Sequence, residues 1–246
     1  MSTLVCVKRV VDSSSEVVLT EDGQAVDGRY AGFTMSAHEE CAVELAVRIG
    51  AATVMTLGDA DAVEQLRAAL AVGCEAATHV VADAQAFGPA DVAREVAAIV
   101  RDGGHDLVLL GNDAADTGDF QVGIRLSYEL GWPVVNGATL VSVDDGVVTA
   151  EVDGPDGHET YRVPLPAVVT VLEGGVAPRY PSVPGRMKAK KVPIEERQPS
   201  AAPAGPARVR LLLPPPAPST VQVLGKGPEA AAAVVDLFEQ LGVLAR

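Results

Sequence analysis

Short apolar runs alternate with helix-like segments along the first half of the chain. The runs that predict strands are 4–7, 52–57, 79–81 and 107–110. Segments with apolar residues at helical spacing lie between them, at 39–49, 61–72 and 89–102. Strands that alternate with helices imply a parallel sheet. The pattern therefore predicts an α/β fold, a three-layer, doubly wound and mostly parallel sheet with helices on both faces.

The alternation of strands and helices ends after Pro133. Short strand-like runs at 139–143, 147–152 and 160–163 are joined by DDG and DGPDG turns, which are hairpin signals. Residues 165–172 then return to the pattern of a buried strand. We expect β-hairpin elements to be added to the parallel sheet.

The C-terminal fifth of the chain differs in composition. Residues 198–218 are dense in Pro and Ala, which favours an extended linker without a core of its own. Apolar residues at helical spacing then predict a final helix at 228–241. The sequence thus predicts an α/β domain at 1–197 and a linker with a C-terminal helix at 198–246, which folds back on its own sheet or docks on a partner.

Composition and charge exclude several classes of protein. The 246 residues are 48% hydrophobic, enough for a sizeable globular core. A net charge of -14 argues against a nucleic-acid binder, which needs clustered Lys and Arg. The longest apolar stretches fall well short of the roughly 20 residues that span a bilayer, and Lys8 and Arg9 follow the first apolar run instead of preceding it as in a signal peptide. We expect no membrane insertion and a cytoplasmic location.

Candidate catalytic and metal-binding groups are sparse. Cys6, Cys41 and Cys74 are odd in number and lack CxxC spacing, which disfavours a disulfide framework and a zinc site; we expect them to be small buried hydrophobes. The four histidines are scattered, and no nucleophile stands beside a recognisable base. The sequence predicts no catalytic residue and no metal site.

The segment 106–123, DLVLLGNDAADTGDFQVG, is the strongest candidate for a ligand site. A buried strand runs into Gly111, and Thr117 and Gly118 precede apolar residues at helical spacing. A helix N-terminus near Gly118 would present free amides, which attract phosphate. Strand, turn and capped helix is also the ordinary sequence of any α/β unit, so both interpretations stay open on this segment alone.

Several motifs, read together, resemble the β subunit of electron-transfer flavoproteins, within the adenine nucleotide α-hydrolase-like superfamily. They follow the family's order and cover about residues 4–195. The motifs are VKRVVD at 7–12, CAVELAVR at 41–48, RAALAVG at 67–73, the segment 107–121, GWP at 131–133, and LPAVVT at 165–170 followed by PRYPSVPGRMKAKK.

The resemblance implies an electron carrier without its own substrate turnover. Such a β subunit forms a heterodimer with an α subunit, which carries most of the FAD at the interface of the two. Electrons arrive from a flavin-dependent dehydrogenase and leave to a quinone reductase or another acceptor. The β subunit itself buries a structural AMP, so residues 1–197 would be a nucleotide-binding domain and residues 198–246 would dock on the α subunit.

The resemblance also places the cofactor site at the carboxyl ends of predicted strands. The amides of 117–122 would hold the phosphate, Asp116 would order the turn by accepting backbone N–H groups, and Asp119 would be a solvated carboxylate. The cofactor-binding residues carried over are Cys6, Ser36, Ala37, His38, Glu39, Leu57, Gly111, Asn112, Ala114, Asp116, Thr117, Gly118, Asp119, Phe120, Gln121 and Val122.

This chain departs from the family at several of these positions. Ser36 and Phe120 stand where the family often has Asn, and Val122 where it often has Thr. Because polar side chains are missing, we expect a nucleotide that is bound more weakly or that differs from AMP. His38 stands where relatives often have an aromatic ring; it would either donate a hydrogen bond to the flavin or be an ordinary loop residue.

A second family segment, before and after PRY, recognises the electron donor. Gly175 stands where the family has a Leu that inserts into acyl-CoA dehydrogenases, so we expect a different donor unless Val176 or Leu172 substitutes for it. The basic cluster of Arg186, Lys188, Lys190 and Lys191 would either steer an acidic partner or be a solvated helix end. The partner-recognition residues carried over are Gly175, Val176, Pro178, Arg179, Tyr180, Arg186, Lys188, Lys190 and Lys191.

Two other functions remain open. A bifurcating flavoprotein would hold a second FAD in place of AMP in the β subunit. A stand-alone adenine-nucleotide sensor of the stress-protein type would share the architecture, although it has no use for the hairpins, the recognition segment or the C-terminal arm.

Overall fold

The structure is a computed structural model, and it describes residues 1–12, 14, 16–205, 209–215 and 221–243. The chain divides into two compact units, Met1–Leu211 and Leu212–Arg246. The segment predicted as a linker at 198–218 is shared between them, and its residues 206–208 and 216–218 lie outside the described ones. A domain boundary after residue 197 stays a prediction.

The first unit contains all the strands and five of the helices, and α6 lies in the second. The strands are β1 Thr3–Cys6, β2 Val10–Val11, β3 Phe33–Thr34, β4 Ala52–Gly58, β5 Ala76–Val81, β6 Leu107–Gly111, β7 Val134–Asp144, β8 Val147–Gly154, β9 Gly157–Pro164, β10 Ala167–Val171 and β11 Ile194–Arg197. The helices are α1 Ala37–Ile49, α2 Val63–Val72, α3 Pro89–Gly103, α4 Val122–Leu130, α5 Val183–Ala189 and α6 Ala230–Gln240.

Nine strands form one sheet in the order β11-β5-β4-β1-β6-β10-β7-β8-β9. Neighbours from β11 to β7 pair in parallel, and β8 and β9 add an antiparallel meander. A separate antiparallel pair joins β2 and β3. The predicted α/β class with a mostly parallel sheet and added hairpins is confirmed; the hairpin strand predicted at 139–143 is the second half of the longer β7.

The central strands are buried on both faces, which explains their unbroken apolar runs. Leu107 and Leu109 of β6 belong to a core shared with α1 and α2, whereas Val108 and Leu110 belong to one shared with α3 and α4. Fully burying a leucine side chain stabilises the fold by about 1.5–3 kcal/mol. The two cores make the sheet the middle layer of three, as predicted.

The cysteines follow the prediction in part. All three thiols are free, Cys41 and Cys74 are buried, and Cys6 is half-buried at the end of β1. Burial raises the pKa of the Cys74 thiol to about 12, so this side chain stays neutral and packs as a hydrophobe.

Helix α4 begins at Val122, four residues later than the sequence predicts. The backbone passes through the left-handed region at Gly118, with φ of 59°, and again at Phe120, with φ of 54°. A right-handed helix cannot run through such residues. The sequence does not predict this late start of α4, because Phe is a residue that rarely adopts positive φ.

The first unit also holds part of the Pro- and Ala-rich segment. The Ser200 N–H donates to Glu95 Oε2 at 2.7 Å, and the N–H groups of Ala204 and Gly205 donate to Asp91 at 3.0 Å each. Both carboxylates are buried on α3. Residues 200–205 are therefore fixed to α3 by side-chain hydrogen bonds and not by an apolar core.

In the second unit, α6 confirms the final helix predicted from spacing. Within the described ranges, every helix is too short or too polar to cross a bilayer.

Close packing of α4 on β10 yields a stability prediction. A Cβ added at Gly123 would lie 2.3 Å from Thr170 Cγ2, and Thr170 cannot turn away because its hydroxyl is hydrogen-bonded to Asn112 and Gly137. We expect Gly123→Ala to lower the free energy of unfolding by about 1–3 kcal/mol, measured by urea denaturation. Gly32→Ala is the control, since its Cβ would lie no closer than 3.7 Å to its nearest neighbour, Asp12 Cβ; an equal effect of both would contradict the overpacking.

Candidate functional site

The predicted site residues on β1, β4 and β6 lie at one edge of the sheet. Cys6 ends β1 and is in register with Met55 of β4 and Leu110 of β6. Leu57 and Gly111 follow at the ends of the neighbouring strands. Three sequence-distant strand ends are thus brought together, as expected for a parallel sheet.

The chain changes direction across the sheet at this place. After β1 it builds β4 and β5 on one side, and β6 then lies on the other side of β1. Open α/β sheets bind ligands in the crevice at such a switch point. One wall of this space is formed by the segment 7–9 after β1 and the first turn of α1, and the other by the loop 112–121 after β6; we call it the switch-point crevice.

The first turn of α1 lies against the end of β6. A Cβ on Gly111 would be 2.9 Å from Glu39 Cγ and 3.3 Å from His38 Cβ. A larger residue at 111 would push the helix away from the strand. The contact explains the glycine after the apolar run, and it brings Ser36, Ala37, His38 and Glu39 to the crevice.

Glu39 is a buried carboxyl that caps its own helix. Its Oε2 accepts from Ser36 N–H at 2.9 Å and from Ser36 Oγ at 3.1 Å, while Ser36 Oγ accepts from Glu39 N–H at 3.3 Å. Burial raises the pKa of Glu39 to about 7, against the opposing effects of these bonds, the Lys8 N–H and the Lys8 charge. Burial and the neighbouring Glu39 charge also raise the pKa of the Cys6 thiol. Glu39 therefore fixes the start of α1, and its Oε2, already bonded to Ser36, has little capacity left to accept a hydrogen bond from a ligand.

The loop after β6 uses some of its amides internally. Ala114 O accepts from the N–H groups of Thr117 at 3.1 Å and Gly118 at 2.8 Å, so these two predicted phosphate donors are engaged in the turn. Within the described part of the chain, no hydrogen bond uses the N–H groups of 119–124. The free donors thus lie further along the chain than the sequence suggests, at the true start of α4.

Two pairs of side chains cross the switch-point crevice. Lys8 Nζ lies 2.7 Å from Asp116 Oδ1, and His38 Nδ1 lies 2.8 Å from Asp113 Oδ1. Lys8 and Asp113 are absent from the sequence-based set of site residues. The signal that would have found Lys8 is its position just after a strand whose end is in the site.

The other predicted loop residues differ in their exposure and in their hydrogen-bond partners. Asp119 and Phe120 are exposed, and Gln121 Oε1 accepts from Arg125 Nε at 3.0 Å. Asn112 Oδ1 accepts from Thr170 Oγ1 at 2.6 Å, and Thr170 Oγ1 in turn accepts from Gly137 N–H at 2.9 Å. Sequence reasoning missed Thr170, although a hydroxyl within the buried run AVVTV was its signal.

A cleft of about 350 Å³ opens beside the crevice. Its walls are β2, β3 and the first turn of α1, with Asp113 and Glu173 opposite. A larger cleft of about 490 Å³ lies where the strands begin, near Ser2 and His105. We assign the site to the smaller cleft and the crevice, because the larger one is at the edge of the sheet that parallel α/β folds do not use for ligands.

Part of the predicted partner-recognition segment is turned inward. A Cβ on Gly175 would lie 2.2 Å from the backbone oxygen of Thr139, so this backbone leaves no room for a leucine. Val176 is only 7% exposed, and its carbonyl accepts from Cys41 Sγ at 3.4 Å. Val176 is therefore part of the core and does not present itself as a substitute anchor.

Arg179 binds within the chain. Its Nε and Nη2 lie 2.7 and 2.9 Å from the two carboxylate oxygens of Glu44 on α1, and Glu44 is 3% exposed. The hydrogen bonds from Arg179 lower the pKa of Glu44 to about 2. The pair is a bidentate clamp that fixes the segment, with the half-buried Pro178, to α1.

The rest of the segment faces outward. Tyr180 is 95% exposed, and Val183 and Met187 are exposed large apolar residues. A Cβ on Gly185 would be 2.3 Å from Ala71 O, which places α5 directly on α2. The basic side chains of this segment are also exposed: Arg186, Lys188, Lys190 and Lys191.

Comparison with known proteins shows which family the sequence resembles. Residues 26–202 match the family model of the electron transfer flavoprotein domain. The electron transfer flavoprotein subunit beta of Bacillus subtilis is 34% identical over 203 residues, covering 80% of this chain and 78% of that protein. Those of Bradyrhizobium diazoefficiens and Sus scrofa are 37% and 36% identical, with 80% and 79% of this chain and 81% and 80% of theirs covered.

The buried carboxyl of Glu39 predicts a pH-dependent stability. Its pKa is raised from 4.5 to about 7 in the fold, so between these values the unfolded chain loses the proton while the folded one keeps it. The free energy of unfolding, relative to Glu39→Gln, should fall by roughly 2–3 kcal/mol as the pH rises from 4.5 to 7. Urea denaturation at a series of pH values measures this. Glu64→Gln, at an exposed position of α2, is the control, and a pH-independent difference for Glu39→Gln would contradict the assignment.

Proposed function

The chain belongs to the electron transfer flavoprotein family as a β subunit, and we propose that it carries electrons through an FAD at its interface with an α subunit. Membership of this family as a β subunit implies that a flavin is involved and that an α subunit is the partner. The finer proposal is that electrons enter from a flavin-dependent dehydrogenase and leave to a quinone reductase or another acceptor. In this proposal the chain turns over no substrate of its own and holds a structural AMP.

The observation that carries the nucleotide proposal is the set of donors at the switch-point crevice. The N–H groups of 119–124 lie free at the start of α4, and helix N-termini of this kind favour phosphate. Lys8 stands at the opposite wall. The donor set therefore fits a phosphate, and backbone amides with Lys8 would hold it, while the end of β1 and the first turn of α1 would contact the rest of the nucleotide.

The cleft beside the crevice is the proposed place of contact with the flavin. When bound, FAD supplies the transfer of one electron at a time. The residues of this chain that would meet it are His38 and the ends of β2 and β3. Asp113 Oδ1 of this chain lies 2.8 Å from His38 Nδ1, so the imidazole is held beside the loop after β6.

The second unit is the proposed contact with the α subunit. Three apolar residues of its helical region, Val235, Phe238 and Leu241, are exposed within that unit. Exposed apolar residues at helical spacing are typical of a surface that a partner covers. This supports the docking prediction for the second unit, whereas residues 200–205 of the predicted segment 198–246 are hydrogen-bonded to α3 of the same chain.

Cofactor stoichiometry tests the proposal. The chain is co-expressed with an α subunit from the same source, and FAD and AMP are quantified after denaturation. We expect FAD equimolar with the heterodimer, and AMP that is released by prolonged dialysis because backbone amides do most of the binding. Two flavins per heterodimer would favour the bifurcating alternative. A stable flavin-free homodimer that ignores the α subunit would favour the nucleotide sensor.

The glycine at position 175 predicts the donor class, because Thr139 leaves no room there for a larger side chain. A buried apolar anchor of the kind that dominates interfaces is absent at 175, and Val176 is in the core. We expect a fatty-acyl-CoA dehydrogenase to reduce the heterodimer slowly, at least tenfold below its rate with an electron-transfer flavoprotein that has the leucine anchor, measured by stopped-flow flavin absorbance. Rapid reduction would contradict this, and a chemical reductant serves as the control for flavin accessibility.

A further inference from the structure

The ion pair between Lys8 and Asp116 closes the switch-point crevice from wall to wall. Lys8 follows β1 by two residues, and Asp116 lies in the middle of the loop after β6. Their side chains meet at 2.7 Å, with 28% of each exposed. The pair therefore crosses the space that lies between the ends of the two strands.

Asp116 has no other hydrogen bond among the described residues. The turn of its loop is closed instead by Ala114 O, which accepts from Thr117 and Gly118. Asp116 therefore does not order the turn by accepting backbone N–H groups, which is the role that the sequence suggests for it. Within the described residues, the hydrogen bond of its carboxylate is the one from Lys8.

The charges around the crevice make Lys8 unusual. The loop after β6 carries Asp113, Asp116 and Asp119, and a phosphate at the free amides would lie near all three. The other nearby cations are engaged elsewhere: Arg9 stacks on Phe33 at 3.6 Å, and Arg125 binds Gln121. Among the lysines and arginines of the described ranges, Lys8 alone forms an ion pair with a carboxylate of this loop.

We propose that Lys8 binds the phosphate of the nucleotide, and that Asp116 holds Lys8 in the crevice until the phosphate replaces it. This inference rests on the proposed nucleotide site and adds a residue and a sequence of contacts to it. An ammonium on a flexible stem can exchange one anionic partner for another with a small movement. The carboxylate keeps the Lys8 charge in place and at the same time competes with the ligand.

A purely structural role for the pair makes the opposite prediction. If the pair only tethers the two loops, removing either partner loosens the crevice, and both variants lose affinity for every ligand. If the partners exchange, removing Lys8 costs affinity only for ligands with a phosphate, and neutralising Asp116 increases that affinity. The sign of the Asp116 effect therefore separates the two explanations.

The test is calorimetric titration of the heterodimer, freed of bound nucleotide, with AMP and with adenosine. We expect Lys8→Met to weaken AMP binding about 10- to 100-fold, the worth of a charge-assisted hydrogen bond, and to leave adenosine binding unchanged. Lys8→Arg should retain most of the preference for AMP. Asp116→Asn should strengthen AMP binding several-fold without changing adenosine binding.

Arg162→Met is the matched control, because it removes one positive charge on β9, at the far end of the sheet. It should leave both affinities as in the wild type. Equal losses for AMP and adenosine in Lys8→Met, or weaker AMP binding in Asp116→Asn, would overturn the exchange while the nucleotide site stands. A wild-type heterodimer that binds neither compound would overturn the nucleotide site and this inference together.

Discussion

The contact between the first turn of α1 and the end of β6 is the constraint on which the site depends. Gly111 permits it, because a Cβ there would meet Glu39 at 2.9 Å. The approach buries the Glu39 carboxyl, which costs free energy when it is charged. Its bonds to Ser36 and the Lys8 N–H offset part of that cost. The same carboxyl thus fixes the helix start and the chain after β1, the two elements that form one wall of the crevice.

Helix α1 also connects this site to the recognition segment. Glu39 at its first turn faces the crevice, and two residues later Cys41 donates to the carbonyl of Val176. Glu44 then clamps Arg179. A displacement of α1 would therefore move both one wall of the crevice and the segment before α5. The buried acids on this helix serve positioning, since their oxygens are already occupied by donors from the chain itself.

The sequence predicts what depends on local pattern and fails where distant residues meet. Apolar runs and helical spacing identify β1, β4, β6 and helices α1 to α3, and the ends of parallel strands locate the site at one edge. The start of α4 is missed because Phe120 adopts a positive φ that its side chain disfavours. The pairs of Lys8 with Asp116 and Arg179 with Glu44 join residues far apart in the chain. Such pairs follow from sheet order, which periodicity does not specify.

The switch-point crevice and the exposed basic face of α5 differ in the distance over which their charges act. A chain of net charge -14 repels anions in general, and salt screens that repulsion beyond a distance of about 10 Å. An anion site in such a chain must rely on short-range donors, which is what free backbone amides and one lysine across a narrow crevice provide. The basic residues of α5 are instead exposed to solvent, where their field extends outward. They are suited to attracting a large acidic partner from a distance, a task that the crevice, enclosed by carboxylates, cannot perform.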